Sequence, residues 1–173
     1  MLSCILQELQ SAAQALSADA VNCCAQKIAA HERIFVYGAG RSGLMLKALA
    51  MRLMQMGKTV YVVGETITPS IQAGDLLIVA SASGTTHSVC HYAAQAAKMQ
   101  ADVLVITAEK DSELTKISAP DVIIPAPTKH HLPSSGQLMG SLFEQMVLLF
   151  SDAVTMALAQ NRDTLSRNHA NLE

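Results

Sequence analysis

Tryptophan is absent from this chain, and phenylalanine and tyrosine contribute only three residues each. A core with so few rings must be aliphatic, and half of the residues are apolar, enough to build one. Neither sign of charge dominates. The formal net charge is −2, which argues against a nucleic-acid partner or an anionic membrane surface. The apolar runs read as too short or too interrupted to span a bilayer. No basic start precedes an apolar stretch at the N-terminus, where Gln7, Glu8 and Gln10 intervene early. No secretory signal is expected, and a cytoplasmic location is. Cysteine is sparse too: Cys4, Cys23, Cys24 and Cys90 lack metal-ligand spacing and read as reduced, buried thiols.

The length, 173 residues, fits one domain. Residues 1–30 read as one or two helices, with Leu2, Ile5, Leu6, Leu9, Ala13 and Leu16 at helical spacing. Short apolar runs at 33–37, 59–63, 76–80, 103–107 and 121–124 read as strands. Helices are expected at 44–56, where Gly57 supplies a stop, at 88–99, at 112–117 and at 141–160. A polar tail follows at 161–173. Alternating strands and helices, with strands that are apolar almost throughout, imply a parallel sheet covered on both faces. The expected fold is α/β: a three-layer αβα sandwich on a five-stranded, flavodoxin-like parallel sheet. Ligands collect at the C-terminal ends of such strands.

Two loops fall at those ends. Ser81-Ala-Ser-Gly-Thr-Thr86 sets four hydroxyls and a glycine where a strand turns into its helix. Free N–H groups and the helix dipole favour an anion there, and hydroxyls suit phosphate oxygens. A helix N-cap needs only one of them. Gly38-Ala-Gly-Arg-Ser-Gly43 matches G-x-G-x-x-G between a strand and a helix, with Glu65 about twenty residues on. That is the dinucleotide fingerprint on paper. Two phosphate-friendly loops at neighbouring strand ends nevertheless fit a small phosphorylated ligand better. Arg41 then either meets the ligand or serves as a structural ion-pair partner. Glu65 either faces the ligand or stabilises a turn.

Glu144 is the only formally charged residue in 141–150 and sits near a helix start, where the dipole favours negative charge. Read alone, it is either a general base or a solvent-facing first-turn Glu beside Gln145. The histidines are less telling. His31 reads as a surface residue, and His87 and His91 follow the hydroxyl-rich loop. His130 and His131 fall in the loop 125–137, a candidate lid or subunit contact. The apolar final helix and the N-terminal stripe suggest subunit interfaces.

Gly38–Gly43, Met51-Arg-Leu-Met54, Val62–Pro69, Met139–Gln145 and the ending His169-Ala-Asn-Leu-Glu173 together resemble the sugar isomerase (SIS) domain family. Within it they are most similar to the 6-phospho-3-hexuloisomerases, over nearly the whole chain. The resemblance implies a cofactor-free isomerase, commonly a homotetramer with sites near subunit interfaces. It would interconvert D-arabino-hex-3-ulose 6-phosphate and fructose 6-phosphate in the ribulose monophosphate route of formaldehyde assimilation. It gives Glu144 the role of base and makes His169 an acid–base candidate, reaching a neighbouring subunit's site. Gly40, Arg41, Ser42, Glu65, Ser81, Ser83, Gly84, Thr85 and Thr86 then become the substrate contacts. Two departures stand out. Ala82 and Thr85 replace the branch's usual Gly and Glu, and Gln55 stands where it commonly has His. The alternatives are a non-catalytic phosphosugar-binding module, another phosphosugar aldose–ketose isomerase and, less favoured, a dinucleotide-binding protein.

Overall fold

The computed structural model describes residues 1–128, 135–158, 162–169 and 171. Two helices open the chain, α1 (Leu2–Ala15) and α2 (Ala18–Ala29), separated at Ser17. The Ser17 hydroxyl accepts the Asp19 N–H at 3.3 Å and so caps α2. There follow β1 (Arg33–Gly38), α3 (Gly40–Gln55), β2 (Thr59–Val62), β3 (Leu76–Ser81) and α4 (His87–Lys98). The described chain continues with β4 (Asp102–Thr107), α5 (Glu113–Ile117), β5 (Val122–Ile123), α6 (Ser141–Leu158) and α7 (Arg162–Arg167).

The strands form one parallel sheet in the order β2-β1-β3-β4-β5. Their side chains alternate between two cores. Ile34, Val36, Ile78, Leu104 and Ile106 face one way, against α1, α2, α3 and α6. Phe35, Leu77, Val79, Val103 and Val105 face the other, against α4 and α5. This is the expected three-layer arrangement, and it explains why the central strands read as unbroken apolar runs. Because α3 and α4 leave the sheet toward opposite faces, a crevice opens between the ends of β1 and β3.

Several local expectations shift. The glycines of 38–43 read as a turn, yet α3 begins at Gly40. Gly43 lies so close to β1 that an added Cβ would stand 2.2 Å from the Gly38 carbonyl oxygen, so its bareness serves close strand–helix packing. At the other end Gly57, at φ +93°, closes α3, with the Lys58 N–H donating to the Leu53 carbonyl at 3.0 Å. The last strand shrinks to Val122–Ile123, although the Asp121 N–H still donates to the Val105 carbonyl at 3.0 Å, and the Asp121 side chain ties this edge to α2. Its carboxylate takes the Lys27 ammonium and the Val105 N–H, each at 2.8 Å, and Lys27 also donates to the Val103 carbonyl at 2.8 Å.

His31 is not a surface residue: its ring bridges the Lys27 carbonyl at 2.7 Å and Asp102 at 2.9 Å. Of the four free cysteines only Cys24 is buried. By length and composition α6 could cross a membrane, contrary to the expectation that no run could. Leu142, Phe143, Met146, Val147, Phe150 and Val154 instead bury its apolar face in the core.

Candidate functional site

The hydroxyl-rich loop joins β3 to α4. Ser81, which ends β3, is buried; its hydroxyl meets that of Thr86 at 3.0 Å and accepts the Gly84 N–H at 3.2 Å. The Ser83 hydroxyl accepts from the N–H of Thr85 at 3.3 Å and from its hydroxyl at 3.0 Å. Thr86 stands at the N-cap of α4 without making a side-chain cap bond. The first-turn N–H groups, which have no intrahelical partner, are therefore not satisfied by the cap residue. Hydroxyls that pair with one another can rotate toward an oxyanion at little cost, and the helix start supplies further donors. The cap alternative is thus disfavoured by the geometry of Thr86 itself.

Residues outside the motif hold this loop. Gly84 has φ +60°, and a Cβ there would stand 2.1 Å from Ser112 Oγ and 2.6 Å from Ser112 Cβ. The Gly84 carbonyl accepts the Leu114 N–H at 2.9 Å, and the Ala82 carbonyl accepts the Ala108 N–H at 3.1 Å. Thr107, fully buried, adds a hydroxyl bond to the Ala82 carbonyl at 3.3 Å. Nothing in the sequence near 81–86 announces these supports. In the folded chain Ser112 and Thr115 form a capping box that fixes the start of α5 beside the loop.

On the other side of the crevice, in the first turn of α3, Arg41 donates from Nε to the Glu144 carboxylate in the first turn of α6. Arg41 is 59% exposed and Glu144 15%. The structure therefore joins two of the charged candidates into one pair, a largely buried carboxylate beside an exposed cation. Ser42 follows in the same turn and is half-buried.

The remaining candidates fall elsewhere. Gly40, at φ +57°, and Glu65 line a 340 Å³ cavity on the β1–β2 side of the sheet, with Tyr37, Gly38, Gly43, Lys47 and Gly64. Glu65 is ion-paired with Lys47 at 2.9 Å, and both are about half exposed. Glu65 is thus apart from the crevice between β1 and β3. His169 follows Asn168, whose amide donates to the Gln55 carbonyl at 3.0 Å, at the C-terminal end of α3. Arg41 and Gln55 stand about 21 Å apart along that helix, at about 1.5 Å per residue. Within one chain His169 is docked at the end of α3 remote from Glu144. The segment around it is also more ordered than a polar tail suggests, since 162–167 form α7. His130 and His131 lie outside the described residues.

The SIS domain family model matches residues 27–166. The chain belongs to the SIS domain family. Two relatives are similar to this SIS chain over nearly its whole length, and both are 3-hexulose-6-phosphate isomerases. The Bacillus subtilis enzyme is 42% identical, with 98% of this chain and 95% of its own covered. The Mycobacterium gastri enzyme is 43% identical, with coverage of 99% and 89%. A solved structure from Methanococcus jannaschii superposes on the SIS chain with a TM-score of 0.81 at 28% identity. It covers 99% of this chain and 98% of that one, and was described as inferring the function of 3-hexulose-6-phosphate isomerase. In this SIS chain the outer glycines of the G-x-G-x-x-G run, Gly38 and Gly43, serve the approach of α3 to β1.

Proposed function

We propose that this SIS chain is a 3-hexulose-6-phosphate isomerase, converting D-arabino-hex-3-ulose 6-phosphate to fructose 6-phosphate. The observation that carries the reading is the 42–43% identity to enzymes of that name across nearly the full chain. The Arg41–Glu144 pair beside a hydroxyl-lined helix start is the chemistry such a reaction needs.

The phosphate sits on Ser81, Ser83, Gly84, Thr85 and Thr86, against the α4 N-terminus. Ser42 bounds the sugar on the α3 side, while Gly40, like Glu65, faces the β1–β2 cavity. Glu144 removes the proton from C2, the C2–H electrons form the C2–C3 double bond, and the C3 carbonyl becomes the enediolate oxygen. Returning that proton at C3, while the O2 proton passes to O3, leaves the carbonyl at C2. Arg41 faces the carboxylate in the free protein. Its guanidinium can turn to the phosphate or the enediolate oxygens as charge develops there. Glu65 has a weaker claim to substrate, because Lys47 holds it on the β1–β2 side.

His169 can serve as the second acid–base group only at another copy's site, given the distance set by α3. Exposed apolar side chains support assembly into a homotetramer. They include Leu44, Met51 and Met54 on α3, Leu2 and Leu6 on α1, and Met156 on α6. The route the enzyme name implies is ribulose monophosphate metabolism, in the cytoplasm and without a cofactor.

The test is turnover of 3-hexulose 6-phosphate by purified protein, read as fructose 6-phosphate formed and as solvent deuterium incorporated at carbon. Wild-type turnover that disappears in Glu144→Gln, with phosphate binding retained, is the expected result. A wild-type protein that binds fructose 6-phosphate without converting it would replace this reading with that of a phosphosugar sensor.

A further inference from the structure

Glu8, on α1, lies more than 125 positions from the residues that bind it. Its carboxylate accepts the Ser135 hydroxyl at 2.5 Å, the Gly136 N–H at 2.7 Å and the Gln137 side-chain amide at 3.1 Å. The Ser135 hydroxyl in turn accepts the Gln137 N–H at 2.9 Å. One carboxylate therefore gathers three consecutive residues. Those hydrogen bonds hold Glu8 below the ordinary carboxylate range, Ser135 contributing most and Gly136 next.

The gathered segment leads directly into the helix that carries the base. The Leu138 carbonyl accepts both the Ser141 hydroxyl at 2.8 Å and the Ser141 N–H at 3.2 Å, and the Gly140 carbonyl accepts the Glu144 N–H at 3.3 Å. Apolar packing does little to fix this entry, since Leu138 and Met139 are 83% and 85% exposed. Beside it lies a 490 Å³ cavity lined by Cys4, Glu8, Pro125, Ser135 and Leu142 among others. A segment with room on one side and solvent on the other takes its position from polar anchors.

We infer that Glu8 is a positioning residue for the isomerisation: by clamping 135–137 to α1 it sets the start of α6 and hence the aim of the Glu144 carboxylate. This rests on Glu144 acting as the base. A small misplacement of a reacting group costs on the order of a hundredfold in rate, so even a partial release is measurable.

The experiment compares wild type, Glu8→Ala, Glu8→Gln, the double variant Ser135→Ala/Gln137→Ala and Glu144→Gln. Steady-state turnover of 3-hexulose 6-phosphate, inorganic phosphate affinity and thermal melting are measured on each. The expected result is a fall in kcat of about tenfold or more in Glu8→Ala, with KM and phosphate affinity within twofold. The double variant, which removes donors from the opposite side, falls similarly. Glu8→Gln, which keeps an acceptor for the Gly136 N–H, recovers much of the loss. Unchanged kcat in Glu8→Ala overturns the inference. So does a loss that tracks melting temperature in every variant and is not relieved by Gln. If Glu144→Gln retains full turnover, the base assignment itself fails, and that outcome is read independently of Glu8.

Discussion

Substituting Gly84 with alanine tests whether the proposed phosphate loop is as tightly determined as its contacts indicate. Two costs arise. At φ +60° an L-residue is strained by roughly 1–2 kcal/mol. The new Cβ also falls 2.6 Å from Ser112 Cβ, which cannot be relieved by rotating the Ser112 side chain, and 2.1 Å from its Oγ, which can. Overpacking of this kind adds roughly 1–3 kcal/mol. The expected total is therefore about 2–5 kcal/mol, or a melting point lower by about 4–20 °C for a chain of this size. Urea and thermal denaturation both read it. A cycle with Ser112→Gly separates the terms: removing the Ser112 side chain should restore the steric part and leave only the backbone strain. The cycle also subtracts the loss of the α5 cap. Phosphate affinity should recover alongside, since the loop returns to its native path. A Gly84→Ala protein within 0.5 kcal/mol of wild type, or one unrelieved by Ser112→Gly, would refute the reasoning.

Other perturbations have definite outcomes. Asp121→Ala strands both the Lys27 ammonium and the Val105 N–H, and should cost about 1–3 kcal/mol in urea unfolding. Cys24 is pushed up to about 12, chiefly by burial and then by Asp121, so alkylation of native protein at pH 8 should label Cys4 and Cys23 and spare Cys24 until unfolding. Glu8 ionises below its ordinary value of 4.5 in the folded state, so its contribution is complete above that pH and is lost as pH falls through the lowered value. The stability gap between wild type and Glu8→Gln should accordingly close in acid, as followed by melting temperature across pH. Arg41→Ala should weaken turnover by at least tenfold while the fold, read by circular dichroism, persists, because the Arg41 side chain is itself 59% exposed and takes no part in the core.

The central strands were legible because each is apolar on both sides, and the helices because their apolar spacing is regular. What escaped is long-range. The residues of the Arg41–Glu144 pair are 103 positions apart, and the periodicity of either segment carries no trace of the other. Composition labelled 38–43 a turn because glycine usually means one; here Gly43 is bare so that a helix can touch a strand. The hydroxyls of 81–86 stood out in the sequence, but Thr107 and Ser112, which hold their loop, look like ordinary strand and cap residues. Glu8 looked merely like a polar interruption in an apolar stretch. Its role depends on a turn that only the folded chain brings near.

The sheet's outer members are its weakest: β2 has four residues and β5 two. Neither rim offers a long row of free N–H and C=O groups on which another strand could be templated. Lateral growth of the sheet, the usual path from an open β-edge to a fibril, is closed off on both sides.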